Sequence, residues 1–243
     1  MFCAARTCYA LRMDAQLLPI DTPALSFVRV SRQAAVLSVI DQPGVDVVCW
    51  VPCYPAQTLQ MFNRLAELPK LDLHFSAAQR GVRDAAGLTQ LAVQAGLLGP
   101  LGAENSDQGM AAVYDDLTQA AQLYHSKGGQ WGDLIMRRTP GYSYPFSFPL
   151  GHYDEDSNLT LIANFSPLGT YIMDTRGLDE AQLMREGKMQ RFGDGAKFAS
   201  PTYDALDGRV YELPAPSFTI LRSEKVLHDW NHKNAAVRCT LVA

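Results

Sequence analysis

The spacing of apolar residues changes once along this chain. Before Trp131 the clearest patterns repeat every three to four positions, and after it they repeat every two. In the first region Pro55 opens AQTLQMFNRLAEL, where Leu59, Phe62 and Leu65 share one helical face. Leu88, Leu91, Ala95 and Leu98 form a second helical stripe with a stop expected at Gly99 and Pro100. Val113, Leu117, Ala120 and Tyr124 form a third, from about Met110 to Ser126, ahead of Gly128 and Gly129. One β-branched run, VDVVCWV at 45–51, follows a DQPG turn and predicts a strand. Residues 1–30 show little periodicity and predict an irregular arm that wraps or frays.

Beyond Trp131 the segments DLIMRRT (133–139), NLTLIANF (158–165), TYIMD (170–174), VYEL (210–213), FTILRS (218–223) and AVRCTLV (236–242) all predict strands. Gly, Pro, Asn and Asp clusters separate them. LDEAQLMRE (178–186) predicts a short helix, with acidic residues in its first turn. Helices followed by many short strands predict an α+β protein: mainly helical support at 31–130 and a β-sandwich or barrel at 131–243, in one compact domain.

Composition narrows the function classes. With 243 residues and 47% hydrophobic content the chain can bury a substantial core. Its 21 basic residues are dispersed and the formal net charge is −4, so no nucleic-acid partner is expected, because a phosphate backbone selects clustered Lys and Arg. No apolar stretch approaches the roughly 18 residues of a membrane span. Arg6 and Arg12 interrupt any signal-peptide core, which predicts a cytoplasmic protein with no membrane partner; a start at Met13 would make the first dozen residues a leader. The five cysteines are odd in number and scattered, against a disulfide framework. Cys49 and Cys53 form a CxxxC pair, read as small apolar residues at a strand end rather than as a soft-metal site.

The candidate chemistry lies in the β-rich half. After the aromatic run YSYPFSFPL comes HYDED, in which an extended chain would aim His152 and Asp154 to one side. His228 follows the strand FTILRS, and Arg238 lies ten residues later in the last strand. Two imidazoles and a carboxylate on one face of an octahedron suit non-haem Fe(II) and leave three positions open. A guanidinium grips a carboxylate bidentately and stays charged when partly buried. Chance alone yields about 0.4 His-x-Asp triplets in this composition, so the order and placement of both elements carry the signal.

At these residues the chain resembles the Fe(II)/2-oxoglutarate-dependent dioxygenases, whose double-stranded β-helix carries His-x-Asp, a distal His and an Arg about ten residues after it. The resemblance implies a double-stranded β-helix (jelly-roll) core with iron on His152, Asp154 and His228. It also implies 2-oxoglutarate as co-substrate on Arg238, accompanied by Thr240, with Asn164 a further candidate for its C1 carboxylate. The chain resembles more closely the domain of unknown function 1826 family, a bacterial family with a "His-x-Asp, alternating strand, Gly-Thr" block, here HYDEDSNLTLIANFSPLGTYIMD, and an opening strand and helix, here VIDQPGVDVVCWVPCYPAQTLQMFNRLAEL. The sequence departs from it at YDED and HDWNH, which leaves Asp156 and His232 as alternative ligands.

The implied function is a dioxygen-using oxygenase that oxidises, most simply hydroxylates, a small molecule. Asp154 at the carboxylate position argues against halide chemistry. The alternatives are a metal-binding protein of zinc or iron homeostasis without oxygenase activity, and a non-haem iron oxygenase that does not use 2-oxoglutarate. Arg137 and Arg138 are read as ordinary strand charges, one of which could reach an anionic substrate. Thr170 either shapes the site or turns the chain; His74 and His125 are structural. Substrate and oligomeric state are not encoded in any recognisable pattern.

Overall fold

The computed structural model describes residues 15–99, 107–140, 153, 158–166, 169–192, 198–201, 203–206, 208–230 and 237–243. The first part of the chain supplies β1 (Gln16–Leu17), β2 (Val28–Ser31), a 3-10 helix (Ala34–Asp41) and β3 (Val47–Trp50). Then come α1 (Ala56–Asn63), which continues as a 3-10 turn over Arg64–Glu67, β4 (Leu71–Ser76), α2 (Ala85–Gln94) and α3 (Asp107–Ser126). After these the chain forms β5 (Asp133–Pro140), β6 (Thr160–Asn164), β7 (Thr170–Met173), α4 (Glu180–Arg185), β8 (Met189–Phe192) and β9 (Phe198–Pro201). It ends with β10 (Val210–Glu212), β11 (Ser217–Leu221), β12 (Leu227–Trp230) and β13 (Val237–Val242).

The strands form three open sheets in a mixed α+β arrangement. One has seven strands in the order β2-β3-β11-β6-β13-β5-β4, one has four in the order β1-β10-β7-β12, and β8 pairs with β9 alone. Strand β13 lies between β5 and β6, antiparallel to both, so the end of the chain closes into the middle of the large sheet.

Packing divides this sheet's two faces. Val48, Trp50, Leu161, Phe165, Phe218 and Ile220 face the helices and join Leu37, Phe62, Leu88, Leu117 and Tyr124 in one core. Val47, Cys49, Ile162 and Leu221, which alternate with the first set, face Ile172, Leu213 and Val226 and form a second core. Tyr171, Met173, Val210 and Leu227 form a third cluster with Leu206. The period of two in β7 separates Tyr171 and Met173 from Ile172, so this cluster marks the far face of the four-stranded sheet. The layers are therefore helices, large sheet and small sheet.

Helices and strands are interspersed, which corrects the expectation of a mainly helical first half packed on a β-rich core. Strand β4, in LDLHFS, lies inside the region read as helical; pairing with β5 recruits it at the sheet edge. Within the expected irregular arm, residues 15–31 contain β1 and β2 and bury Leu18, Phe27, Val28 and Val30, while residues 1–14 lie outside the described part. Elements of two to four residues are too short to establish a period. Helix α2 stops before Gly96, which takes a φ of +65°, rather than at the expected Gly99 and Pro100. Leu97 and Leu98 are nonetheless fully buried, so their apolar spacing came from the core and not from a helix. FTILRS ends as a strand at Leu221, because Arg222 turns away to donate to the carbonyl of Ile40 at 3.0 Å. No closed barrel is formed among the described residues, and the jelly-roll expectation reduces here to three open sheets in a mixed α+β arrangement.

Phe218 joins helices to sheet: it is 1% exposed, 5.2 Å from the Trp50 ring and 6.0 Å from that of Phe165. Phe218→Ala is expected to cost about 3–5 kcal/mol, read as a lower urea midpoint at unchanged slope.

Candidate functional site

The face that the large sheet turns toward the small one is unusually polar for an interior. Register aligns Ser217 of β11, Asn164 of β6 and Thr240 of β13 in one row. Thr219 and Ser217 follow on β11, and Thr160, Asn164, Ser217, Thr219 and Ser223 are all buried. Burial of hydroxyls and amides is costly unless hydrogen bonds replace water. Thr160 and Ser223 bond through their hydroxyls at 2.7 Å, and Asn164 Oδ1 accepts from the Ser166 backbone N–H at 2.9 Å. The Cys49 thiol lies on this face too, with the side chains of Thr219 and Ser217 as partners; burial pushes its pKa up to about 11 although those hydrogen bonds act the other way.

His228 enters the space from the opposite side. Its register partner in β7 is Ile172, a member of the inter-sheet core, whereas Leu227 beside it belongs to the outer cluster. Alternation therefore turns the imidazole inward, where it is 3% exposed. Its Nδ1 lies 3.1 Å from the Val226 carbonyl oxygen. A carbonyl can only accept, so Nδ1 carries the hydrogen and in the neutral ring Nε2 carries the lone pair. This is the tautomer that a metal-ligating histidine uses when a second partner orients it.

Thr170, two positions before Ile172 on β7, shares that inward face and is also buried. The residue before it explains its placement. A Cβ on Gly169 would come within 1.6 Å of the Leu213 carbonyl oxygen, so only glycine permits this approach of β7 to the end of β10. Gly169 N donates to Glu212 Oε1 and Leu213 N donates to the Thr170 carbonyl, each at 2.9 Å. The Gly-Thr step thus fixes the start of β7.

His152 and Asp154 lie outside the described residues, as do Asp156, His232 and the aromatic run 142–150. Between the two ligand candidates, Tyr153 is described: it packs on the outer cluster of the small sheet, and its hydroxyl is 3.5 Å from that of Thr175. Burial raises its phenol pKa, while the Thr175 hydrogen bond opposes this. Arg238 and Thr240 lie in β13, with backbone register opposite Thr139 and Arg137 of β5. Among the described residues no three His, Cys, Asp or Glu side chains converge as a metal site. His228 alone of the implied iron ligands is described, and its buried, oriented ring fits that role.

The remaining candidates have structural partners. Arg137 pairs with Asp72 at 3.0 Å across β4 and β5. Arg138 is buried and donates to the carbonyls of Pro69, Gly96 and Leu97, holding the turn that follows α2. His74 pairs with Asp133 at 3.2 Å, and His125 stacks on Trp131. Asn164 uses its carbonyl oxygen on the backbone. Near the same strand ends a pocket of about 180 Å³ opens between Leu59, Phe62 and Asn63 of α1 and Ser166, Ala215 and Pro216. That is above the roughly 150 Å³ of a cavity known to take benzene.

Ser217 and Thr219 were overlooked in the sequence because a strand with alternating polar residues ordinarily turns them to solvent. Here the second sheet covers them. No protein-family model and no curated protein matches the chain. Among the described residues no helix is long and apolar enough to cross a membrane.

The geometry separates the CxxxC pair, since Cys49 is buried and Cys53 exposed. Brief iodoacetamide treatment of the native protein at pH 8 is expected to label exposed Cys53 and spare Cys49 until denaturant is added, as peptide mass mapping would show, because burial shields the Cys49 thiol and raises its pKa.

Proposed function

We propose that the protein is an Fe(II)- and 2-oxoglutarate-dependent oxygenase of a small molecule, built on a double-stranded β-helix. The observation that carries this reading is His228: a buried imidazole on the inner face of the small sheet, with Nδ1–H committed to a backbone carbonyl, the orientation a metal-ligating histidine takes. The strand order supports it. From β5 onward the chain visits the large sheet with β5 and β6, the small sheet with β7 and β10, then alternates through β11, β12 and β13, pairing first strand with last. A jelly roll wound from two Greek keys has that character.

In this reading His228 holds iron together with His152 and Asp154. Tyr153 packs on the face of the small sheet opposite His228. Bound there, iron would supply dioxygen activation coupled to oxidative decarboxylation of 2-oxoglutarate. Arg238 receives the far carboxylate of the co-substrate, with Thr240 beside it; the register of Thr240 with Asn164 brings this part of β13 to the polar end of the inter-sheet space. The apolar remainder of that space, around Ile162, Ile172 and Leu221, excludes water.

Anaerobic addition of Fe(II) and 2-oxoglutarate should give the weak visible charge-transfer band of the chelate, absent in His228→Ala. Arg238→Ala should weaken 2-oxoglutarate binding about tenfold to hundredfold, as expected for loss of a charged hydrogen-bond pair. Iron-loaded wild type without the band would overturn the proposal. Tight zinc binding without succinate formation would replace it with a non-redox metal protein.

A further inference from the structure

We propose that the Thr170 hydroxyl is a ligand-binding group, donating a hydrogen bond to an oxygen of a small carboxylate seated beside His228 between the two sheets. Thr170 is 3% exposed, and its Oγ1 is buried with no hydrogen-bond partner among the described residues. A buried hydroxyl without a partner loses its water and gains nothing in return. Valine has the same shape and would fill the position without that penalty, so the hydroxyl is a liability to the unliganded fold.

Its direction follows from the strand. Ile172, on the same face of β7, belongs to the inter-sheet core, and Tyr171 between them belongs to the outer cluster. Ile172 pairs with His228 and Thr170 with residue 230, so Thr170 is the diagonal neighbour of His228, about 7–8 Å away. A small ligand can span that separation and touch both. The close approach of Gly169 to Leu213 and the hydrogen bond from Leu213 N hold the backbone of Thr170 in place. The hydroxyl is therefore positioned before any ligand arrives, and little ordering remains to be done on binding.

The chemical class comes from the neighbours. Residues 165–169 connect Asn164 directly to Thr170, which brings the start of β7 to the polar end of the large sheet, where β13 enters. A hydroxyl, together with an imidazole and an arginine strand position in the roles proposed above, favours an anionic ligand rich in oxygen. The choice of a carboxylate rests on the function proposed above; the orphaned hydroxyl does not.

Thr170→Val and Thr170→Ser test it with 2-oxoglutarate and succinate as probes, titrated anaerobically into Fe(II)-loaded protein, alongside melting of the metal-free proteins. Thr170→Val is expected to melt at or above the wild-type temperature without ligand, yet to bind the carboxylate that wild type binds about tenfold more weakly. Thr170→Ser, which keeps the donor, should stay within about twofold of wild-type affinity. A drop of more than about 5 °C for metal-free Thr170→Val would show that the hydroxyl serves the fold and would overturn the inference. Unchanged affinity in Thr170→Val would overturn it while leaving the oxygenase reading intact. Wild type binding neither carboxylate would overturn both.

Discussion

Three strands of the large sheet, β3, β6 and β11, are buried on both faces, and the rest of the molecule follows from that constraint. Strands β3, β6 and β11 each present one row of side chains to the helices and the alternate row to the small sheet. A strand buried on both sides cannot discard polar residues into solvent. Those it keeps must find partners inside or remain as places for a ligand. Thr160 with Ser223, Asn164 with Ser166 and Cys49 with Thr219 are internal solutions. Thr170 on the facing sheet is not solved in this way.

The two faces hold different kinds of order. On the helical side the contacts are among large apolar and aromatic groups: Tyr54 with Phe62, Phe62 with Phe165, Phe165 with Phe218 and Phe218 with Trp50. Such contacts contribute stability in proportion to area and tolerate few voids. On the inter-sheet side the apolar residues are smaller and give way to hydroxyls, an amide, a thiol and an imidazole toward the strand ends. Hydrogen bonds there contribute about 1 kcal/mol each and fix direction more than they add stability. One face therefore supports the fold while the other orients polar groups, which is the division a binding site requires.

The helical layer also supports the sheet edge nearest the candidate arginine strand. Arg138 reaches from β5 to the carbonyls of Gly96 and Leu97, just past the end of α2, and so ties that strand to the turn that follows the helix. Strand β5 is in turn the register partner of β13 along its whole length. The placement of β13, and with it position 238, is thus linked to a buried guanidinium that holds a turn rather than meeting a substrate.

The sequence alone determined the strands from β5 to β13 that have clear alternation, the strand at Val47–Trp50 and the existence of α1, α2 and α3, although Leu59 of the first stripe is exposed and Leu98 of the second lies past its helix. Each depends on neighbours a few residues away, and local periodicity records them. It also singled out His228, whose inward direction required β7 as a neighbour to become evident. Tertiary structure alone decided that β4 joins the large sheet, that Leu97 and Leu98 are buried beyond the end of α2, and that Ser217 and Thr219 are interior. It decided too that Gly169 presses against Leu213 and so aims Thr170. All four depend on partners distant in the chain, and a local pattern cannot tell a polar residue facing water from one facing a second sheet.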